Sequence, residues 1–240
     1  VLGAVFVVGV SCWFLLKKSN VGFAKDSIRI ASWVGLAGIL LTSWTGDMSA
    51  VDVANTQPMK LAAMEALYDG SCGQDLVGIG ILDTGKERTD GREPVKYALR
   101  IPYGLSILAN HDANSFVPGI NDLIDGRELT PRGDTIATVS YAERIARGQA
   151  AQEALRRYEA ASAIGDSTAM AAADKALKAD FRYFGYGFLS SPDEAIPPVA
   201  VTFYAFRVMV IFGGYLLLFF AAMLFLSYRK PRHLESRWLV

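Results

Sequence analysis

The chain has 240 residues, 52% of them hydrophobic and 20% charged, with zero formal net charge and a mean hydropathy of +0.25. That balance argues against an ordinary water-soluble globule, and a neutral chain lacks the basic field that nucleic acid requires, so no nucleic-acid partner is expected. There is no Gly-rich phosphate loop, no His or Cys cluster at metal-ligand spacing, and no basic patch interleaved with aromatics.

The first apolar run, residues 1–16, ends at Lys17 and Lys18. It is shorter than the roughly 20 residues a spanning helix needs, and it starts without a charged n-region or a cleavage site. It therefore reads as a transmembrane helix cut short, and the chain as a piece of a longer protein. Residues 17–29 read as a turn carrying Lys17, Lys18, Lys25 and Arg29. Residues 30–45 form an uncharged second span, with Trp33 and Trp44 in it. A third run, 199–228, is long enough to span with tilt, and the basic segment 229–240 follows it. Cys12 lies in the first apolar run and Cys72 in the polar middle, so a bridge between them would join different depths and is not expected.

Basic residues in short connections remain cytoplasmic, whereas a long loop translocates whatever its charge. Lys17, Lys18, Lys25 and Arg29 agree in this with Arg229, Lys230, Arg232 and Arg237. Both groups are therefore expected in the cytoplasm and residues 46–198 outside. A loop of roughly 150 residues needs elements of its own. Gln57 to Tyr68 reads as a short helix. Tyr97 to Leu108 reads as a strand or as a segment dipping toward the membrane surface, and Asp112 to Asp134 as loop. Tyr141 to Ala161 has strong helix propensity. Gly165-Asp166-Ser167 breaks it and supplies an N-cap for a second helix to about Phe184, which predicts a helical hairpin. The fold class expected is all-α and integral to the membrane. It has three transmembrane helices, the first truncated, and a large, mainly helical extracytoplasmic loop between the second and third.

Four residues stand out. Arg207 lies in the outer third of the last span, where an arginine is costly and usually faces a protein interior, an anionic group or the nearby interface. Met209, about 200° further round the helix, is ordinary packing unless its thioether ligates a haem iron. His111 and His233 both lie outside the spans, so no histidine partner for Met209 occurs within them. Lys60 and Glu65 are spaced by five, about 140° apart on a helix, and so do not form the usual i,i+4 pair. They read as two solvated charges, or as a hydrogen-bond donor and a base for a substrate at the membrane surface. Quinol oxidation is one such reaction, because it releases two protons with two electrons.

The strings Gly46-Asp47, Gln57-Pro58-Met59-Lys60-Leu61-Ala62-Ala63-Met64-Glu65-Ala66, Ile101-Pro102-Tyr103-Gly104 and Phe203-Tyr204-Ala205-Phe206-Arg207-Val208-Met209-Val210 resemble subunit I of the cytochrome bd quinol oxidases. The resemblance runs over the whole chain, in order and spacing, and the loop length is that of the family's long-loop type. It implies that segment 46–198 is the quinol-oxidising loop, with Lys60 and Glu65 as its substrate-linked residues. It also implies that Met209 is the axial ligand of low-spin haem b, with Arg207 beside that haem. Electrons would pass to a high-spin haem b and haem d, where O2 becomes water. Subunit II, a small accessory subunit and the bacterial inner membrane complete the expected setting. The histidine opposite Met209 is expected upstream of Val1, so this piece alone is not expected to reduce oxygen. The alternative reading is a membrane receptor with an external helical ligand-binding domain.

Overall fold

The computed structural model describes residues 1–83, 85–130 and 132–229. Lys230, Arg232, Arg237 and His233 lie outside them. The helices are α1 (Leu2–Leu16), α2 (Val21–Thr56), α3 (Pro58–Glu65), α4 (Gly104–Asn110), α5 (Ile120–Asp125), α6 (Tyr141–Ile164), α7 (Ser167–Asp180) and α8 (Val199–Arg229). The strands are β1 (Ser71–Cys72), β2 (Leu76–Leu82), β3 (Val95–Ile101), β4 (Phe116–Val117), β5 (Arg127–Leu129) and β6 (Thr135–Ala137). Chain contacts divide the protein into two compact units, Val1–Ala50 with Phe206–Val240, and Val51–Ala205.

The first unit packs α1, the N-terminal part of α2 and most of α8. Ala4, Val8, Cys12 and Leu15 repeat at helical spacing on α1 and meet Ala24, Ile28 and Ala31 of α2 and Phe220 and Met223 of α8. Gly35 makes room for Phe220: a Cβ there would stand 2.3 Å from the ring. The remaining surface is strongly apolar, with Phe6, Trp33, Trp44, Phe212 and Leu218 all exposed. Two helical stretches, Val21–Thr56 and Pro192–Arg229, are long and apolar enough to cross a membrane, and only 28% and 17% of their most apolar windows are buried within the chain. A core helix of a soluble protein would bury most of that surface, so these helices suit lipid or further protein. Helix α1, at 15 residues, is shorter than a full span.

At one end of this unit Arg29 donates from Nη2 to the Ser227 carbonyl at 3.1 Å and lies 5.2 Å from the centre of the Tyr228 ring. The start of α2 and the end of α8 are therefore level with each other. Helix α2 also begins inside the stretch read from sequence as a turn and continues past residue 45, because loss of apolarity marks the end of a span and not the end of its helix.

In the second unit α3 starts at Pro58, where the missing N–H costs nothing, and stops at Ala66, which is left-handed at φ 50°. Met59 and Ala62 of α3 pack with Ile120, Leu123 and Ile124 of α5 and Tyr141 of α6. Leu61 packs instead with Leu105, Ala109 and Val117. Three antiparallel pairs, β1–β4, β2–β3 and β5–β6, accompany the helices, so the all-α fold class expected for the chain gives way to a mostly helical one with short strands in this segment. The stretch 97–108 divides into the end of β3 and α4, separated by left-handed Tyr103. The region read as loop, 112–134, holds α5: the Asp122 carboxylate accepts from Gly70 N at 2.6 Å and Gly119 N at 3.0 Å and fixes the helix start.

Helices α6 and α7 pack together. Gly165, at φ 72°, closes α6, and Asp166 caps α7 by accepting from Thr168 N and Ala169 N at 3.0 Å. The second helix ends at Asp180, and Phe181–Phe188 continues as a tighter 3-10 helix. That segment lies on α6, with Gly148 and Gly187 backbone to backbone.

Candidate functional site

Glu65 closes α3, and its side chain turns inward to 4% exposure. Val77 N–H of β2 donates to its Oε2 at 3.3 Å. The carboxylate lines a cleft of about 230 Å³ with Tyr68, Asp69, Asp75, Lys86, Glu93 and Arg100. A buried acid with access to a polar cleft is suited to exchanging a proton with a bound molecule.

The turn between β2 and β3 supplies one wall of that cleft through a compact ion-pair group. Lys86 Nζ, almost fully buried, meets Asp90 Oδ1 at 2.5 Å and sits 4.8 Å from the centre of the Tyr68 ring. Lys86, then the Glu87 N–H at 2.8 Å, hold the Asp90 carboxyl far below the usual carboxylate range. Lys96, at 2.9 Å, and the Gly85 N–H hold Asp83 down as well. Burial pushes the Tyr68 phenol up, opposed by Lys86. Because the Asp90 pKa is depressed on folding, its stabilisation is present above the ordinary carboxylate range and is lost only in strong acid. Asp90→Asn removes that charge and leaves Lys86 buried beside an amide. The turn is expected to open, read as faster amide exchange at residues 85–92 at neutral pH, with little difference from the parent protein in strong acid.

Lys60, exposed on α3, borders a different cleft, of about 360 Å³, with Gln57, Met59, Tyr141, Tyr186, Pro197 and Thr202. The structure thus places the two sequence-predicted residues in separate clefts, in keeping with their 140° offset. Tyr141 and Tyr186 meet edge to face at 5.5 Å. The Arg144 guanidinium lies 4.9 Å from the centre of one ring and 5.7 Å from the other, and donates to Tyr186 Oη at 3.3 Å. Burial, then Tyr186, push the Tyr141 phenol up to about 12 against the opposing Arg144. The folded state therefore holds this proton more tightly than the unfolded chain. Its stabilisation persists to pH about 10 and falls between there and about 12. Denaturant unfolding over that range should reveal the loss, and Tyr141→Phe should abolish it.

On α8, Arg207 is 5% exposed and Met209 is 61% exposed. Val208, Val210, Ile211 and Phe212 beside Met209 are also exposed. The thioether therefore stands on open apolar surface, with its sulfur available to a planar apolar group. One soft donor fits a single axial position of a haem, and no group of three His, Cys, Asp or Glu that could hold a metal ion occurs among the described residues. His111 caps the C-terminus of α4 in the second unit. Cys12 and Cys72 are free thiols.

Sequence reasoning missed the Tyr141–Arg144–Tyr186 group and the Lys86–Asp90 pair. A signal for each existed: Tyr141 and Arg144 share one helix face, and Lys86 and Asp90 are four residues apart inside a turn.

The pattern of the family "Cytochrome bd terminal oxidase subunit I" matches residues 1–240. The chain is 32% identical over 238 residues to "Cytochrome bd-II ubiquinol oxidase subunit 1" of Escherichia coli K12, covering 91% of this chain and 41% of that protein. It is 34% identical over 139 residues to "Cytochrome bd ubiquinol oxidase subunit 1" of Bacillus subtilis 168, covering 57% of this chain and 28% of that one. A solved bd oxidase from Geobacillus thermodenitrificans aligns with 95% of this chain and 55% of its own at 19% identity and a TM-score of 0.45. The chain thus spans less than half the length of these curated relatives. With the family pattern matched from end to end, the chain belongs to the cytochrome bd terminal oxidase subunit I family.

Proposed function

We propose that this chain supplies the quinol-oxidising loop and one haem-bearing span of a respiratory quinol:oxygen oxidoreductase. The observation that carries the reading is the buried Glu65 carboxylate, anchored by Val77 N–H at the wall of a polar cleft. Two relatives are named as ubiquinol oxidases and a third as a putative menaquinol oxidase, which supports a quinol as substrate. Family membership also leaves the receptor reading without support.

In this reading three spans, α1, α2 and α8, cross the bacterial inner membrane. The level pairing of Arg29 with Ser227 favours one cytoplasmic face for both basic clusters, with the long loop on the opposite side. Quinol becomes quinone by giving up two electrons and two protons. Glu65 accepts the first hydroxyl proton, passes it to the cleft behind it, and is then free to accept the second. Lys60 lies about 140° round α3, and its flexible four-carbon stem brings the ammonium to a quinol oxygen from the neighbouring cleft. Met209 would hold low-spin haem b through its thioether sulfur, and Arg207 would supply a positive charge to offset anionic groups of that haem. The chemistry such a group would supply is one-electron acceptance. High-spin haem b, haem d, O2 reduction, subunit II and a small accessory subunit belong to the complete complex.

Glu65→Gln tests the reading. Glutamine keeps the volume and an acceptor for Val77 N–H while removing the base. Quinol oxidation by the purified full complex is expected to fall by about 10²–10⁴-fold, with the haem absorbance unchanged. Turnover equal to the parent enzyme would remove Glu65 from the reaction.

A further inference from the structure

The β2–β3 hairpin has two unlike faces. Val77, Leu82 and Val95 point inward and pack with Ala66 and with Phe203 in the first turns of α8. The opposite face carries Ile79 and Ile81 of β2 and Leu99 and Ile101 of β3, all more than half exposed. Ile79 pairs with Leu99 across the ladder, so these side chains form one surface. Tyr97, at φ 51° in an irregular stretch of the ladder, is thrown out to 91% exposure at its margin, and Tyr103 and Ile107 extend the surface beyond Ile101. Such a contiguous apolar face on a two-stranded ribbon is not a water-facing surface.

We propose that this face rests in the headgroup and upper acyl region of the outer lipid leaflet. Three observations select lipid as the occupant. The hairpin is fastened to the beginning of α8: Tyr204 Oη accepts from Leu82 N at 3.0 Å, and Phe203 is fully buried in their shared core. The apolar surface is thus continuous with the first two turns of an apolar helix long enough to span, where Val201 is also exposed. Tyrosine, which has an apolar ring and a polar tip, marks the margin, the residue type enriched at membrane interfaces. Finally, the charged groups turn away from this face: Arg100, opposite the inward Val77, lines the Glu65 cleft with Nη2 3.3 Å from Glu93, and the others gather at the turn. Lys96, opposite Ile81, turns its ammonium to Asp83 at 2.9 Å, and Lys86 and Asp90 pair inside the turn. The ribbon has a polar tip and an apolar flank, the distribution that an interfacial segment needs.

The inference rests on α8 crossing the bilayer and is independent of which residues oxidise quinol. It has a functional corollary. Val77 N–H of the same hairpin holds Glu65, so a membrane-resting ribbon would place the carboxylate's anchor next to the phase in which a long-tailed quinol is dissolved.

The test uses the full-length complex in vesicles, in a background without other reactive cysteines. An environment-sensitive nitrobenzoxadiazole label is attached at Leu99→Cys, at Tyr97→Cys as a second variant, at Thr89→Cys in the polar turn, and at Leu218→Cys in the span. With brominated phosphatidylcholine, labels at 99 and 97 are expected to show blue-shifted emission and strong quenching, while the label at 89 stays red-shifted and unquenched by bromolipid. Blue-shifted emission without bromolipid quenching at 99 and 97 would mean that another part of the complex covers the face, and would overturn the proposal. Red-shifted emission quenched by aqueous iodide would overturn it equally. Quenching at 218 but not at 99 or 97 removes the interfacial docking alone, whereas no quenching at any of the three removes the spanning role of α8 with it.

Discussion

Met209→Leu in the full-length subunit, assembled with its partner, is expected to abolish the low-spin haem signal in the reduced-minus-oxidised absorbance spectrum. Methionine and leucine have similar volume, and such swaps cost less than about 1.5 kcal/mol even in cores. At 61% exposure within this chain, Met209 contributes little to the packing of its own unit. What leucine cannot supply is the sulfur lone pair, and a low-spin iron with one strong axial partner missing changes its spectrum and its potential. The remaining haem signals and the expression level should be retained, which separates lost ligation from lost folding. An unchanged low-spin band would end the assignment of Met209 as ligand.

Gly148→Ala is expected to have the largest effect on the loop's own structure. A Cβ at this position would lie 2.4 Å from both Gly187 N and Tyr183 O, atoms of backbone that have no rotamer to move into. Alanine improves helix propensity by about 1 kcal/mol, while forced overpacking costs about 1–3 kcal/mol and more when backbone must shift. The clash therefore decides the sign. The 181–188 segment should lift off α6 and take Tyr186 away from Tyr141 and Arg144. Limited proteolysis should cut near residues 181–188 in the variant and not in the parent. Gly185→Ala is the control: nothing lies within 4 Å of its would-be Cβ, and its proteolysis pattern should match the parent. A protected Gly148→Ala loop would show that the close backbone approach is dispensable.

Much of this arrangement was legible from residue order. The two long apolar helices announce themselves by composition, and Gly165-Asp166 by its stop-and-cap chemistry. The 140° offset of Lys60 and Glu65 rules out an i,i+4 pair, but that they line separate clefts was not legible from it. The hidden parts depend on partners distant in sequence. Helix α5 is six residues long, too short to be stable by propensity. It exists because Ile120 and Leu123 find α3, and because Asp122 receives Gly70 N–H from fifty-two residues upstream. The ribbon β2–β3 is similar: residues 76–82 drew no assignment from sequence, and the two-faced strand is defined only by its packing on Phe203. Burial of Glu65 likewise needed Val77, twelve residues on, to turn back across it.

The clamp between Arg29 and the Ser227 carbonyl has a consequence at the other end of the same helix. Helices are stiff along their axes, and Met209 stands eighteen residues from Ser227, about 27 Å at 1.5 Å per residue. Sliding of α8 past α2 would break this bond, so the contact at one end of the unit opposes a change in the height of the sulfur at the other. Electron hopping falls steeply with distance, so depth is a kinetic quantity as well as a structural one. If Met209 holds a haem as proposed, the Arg29 guanidinium, at the far end of the same helix, would help to set the depth of that group.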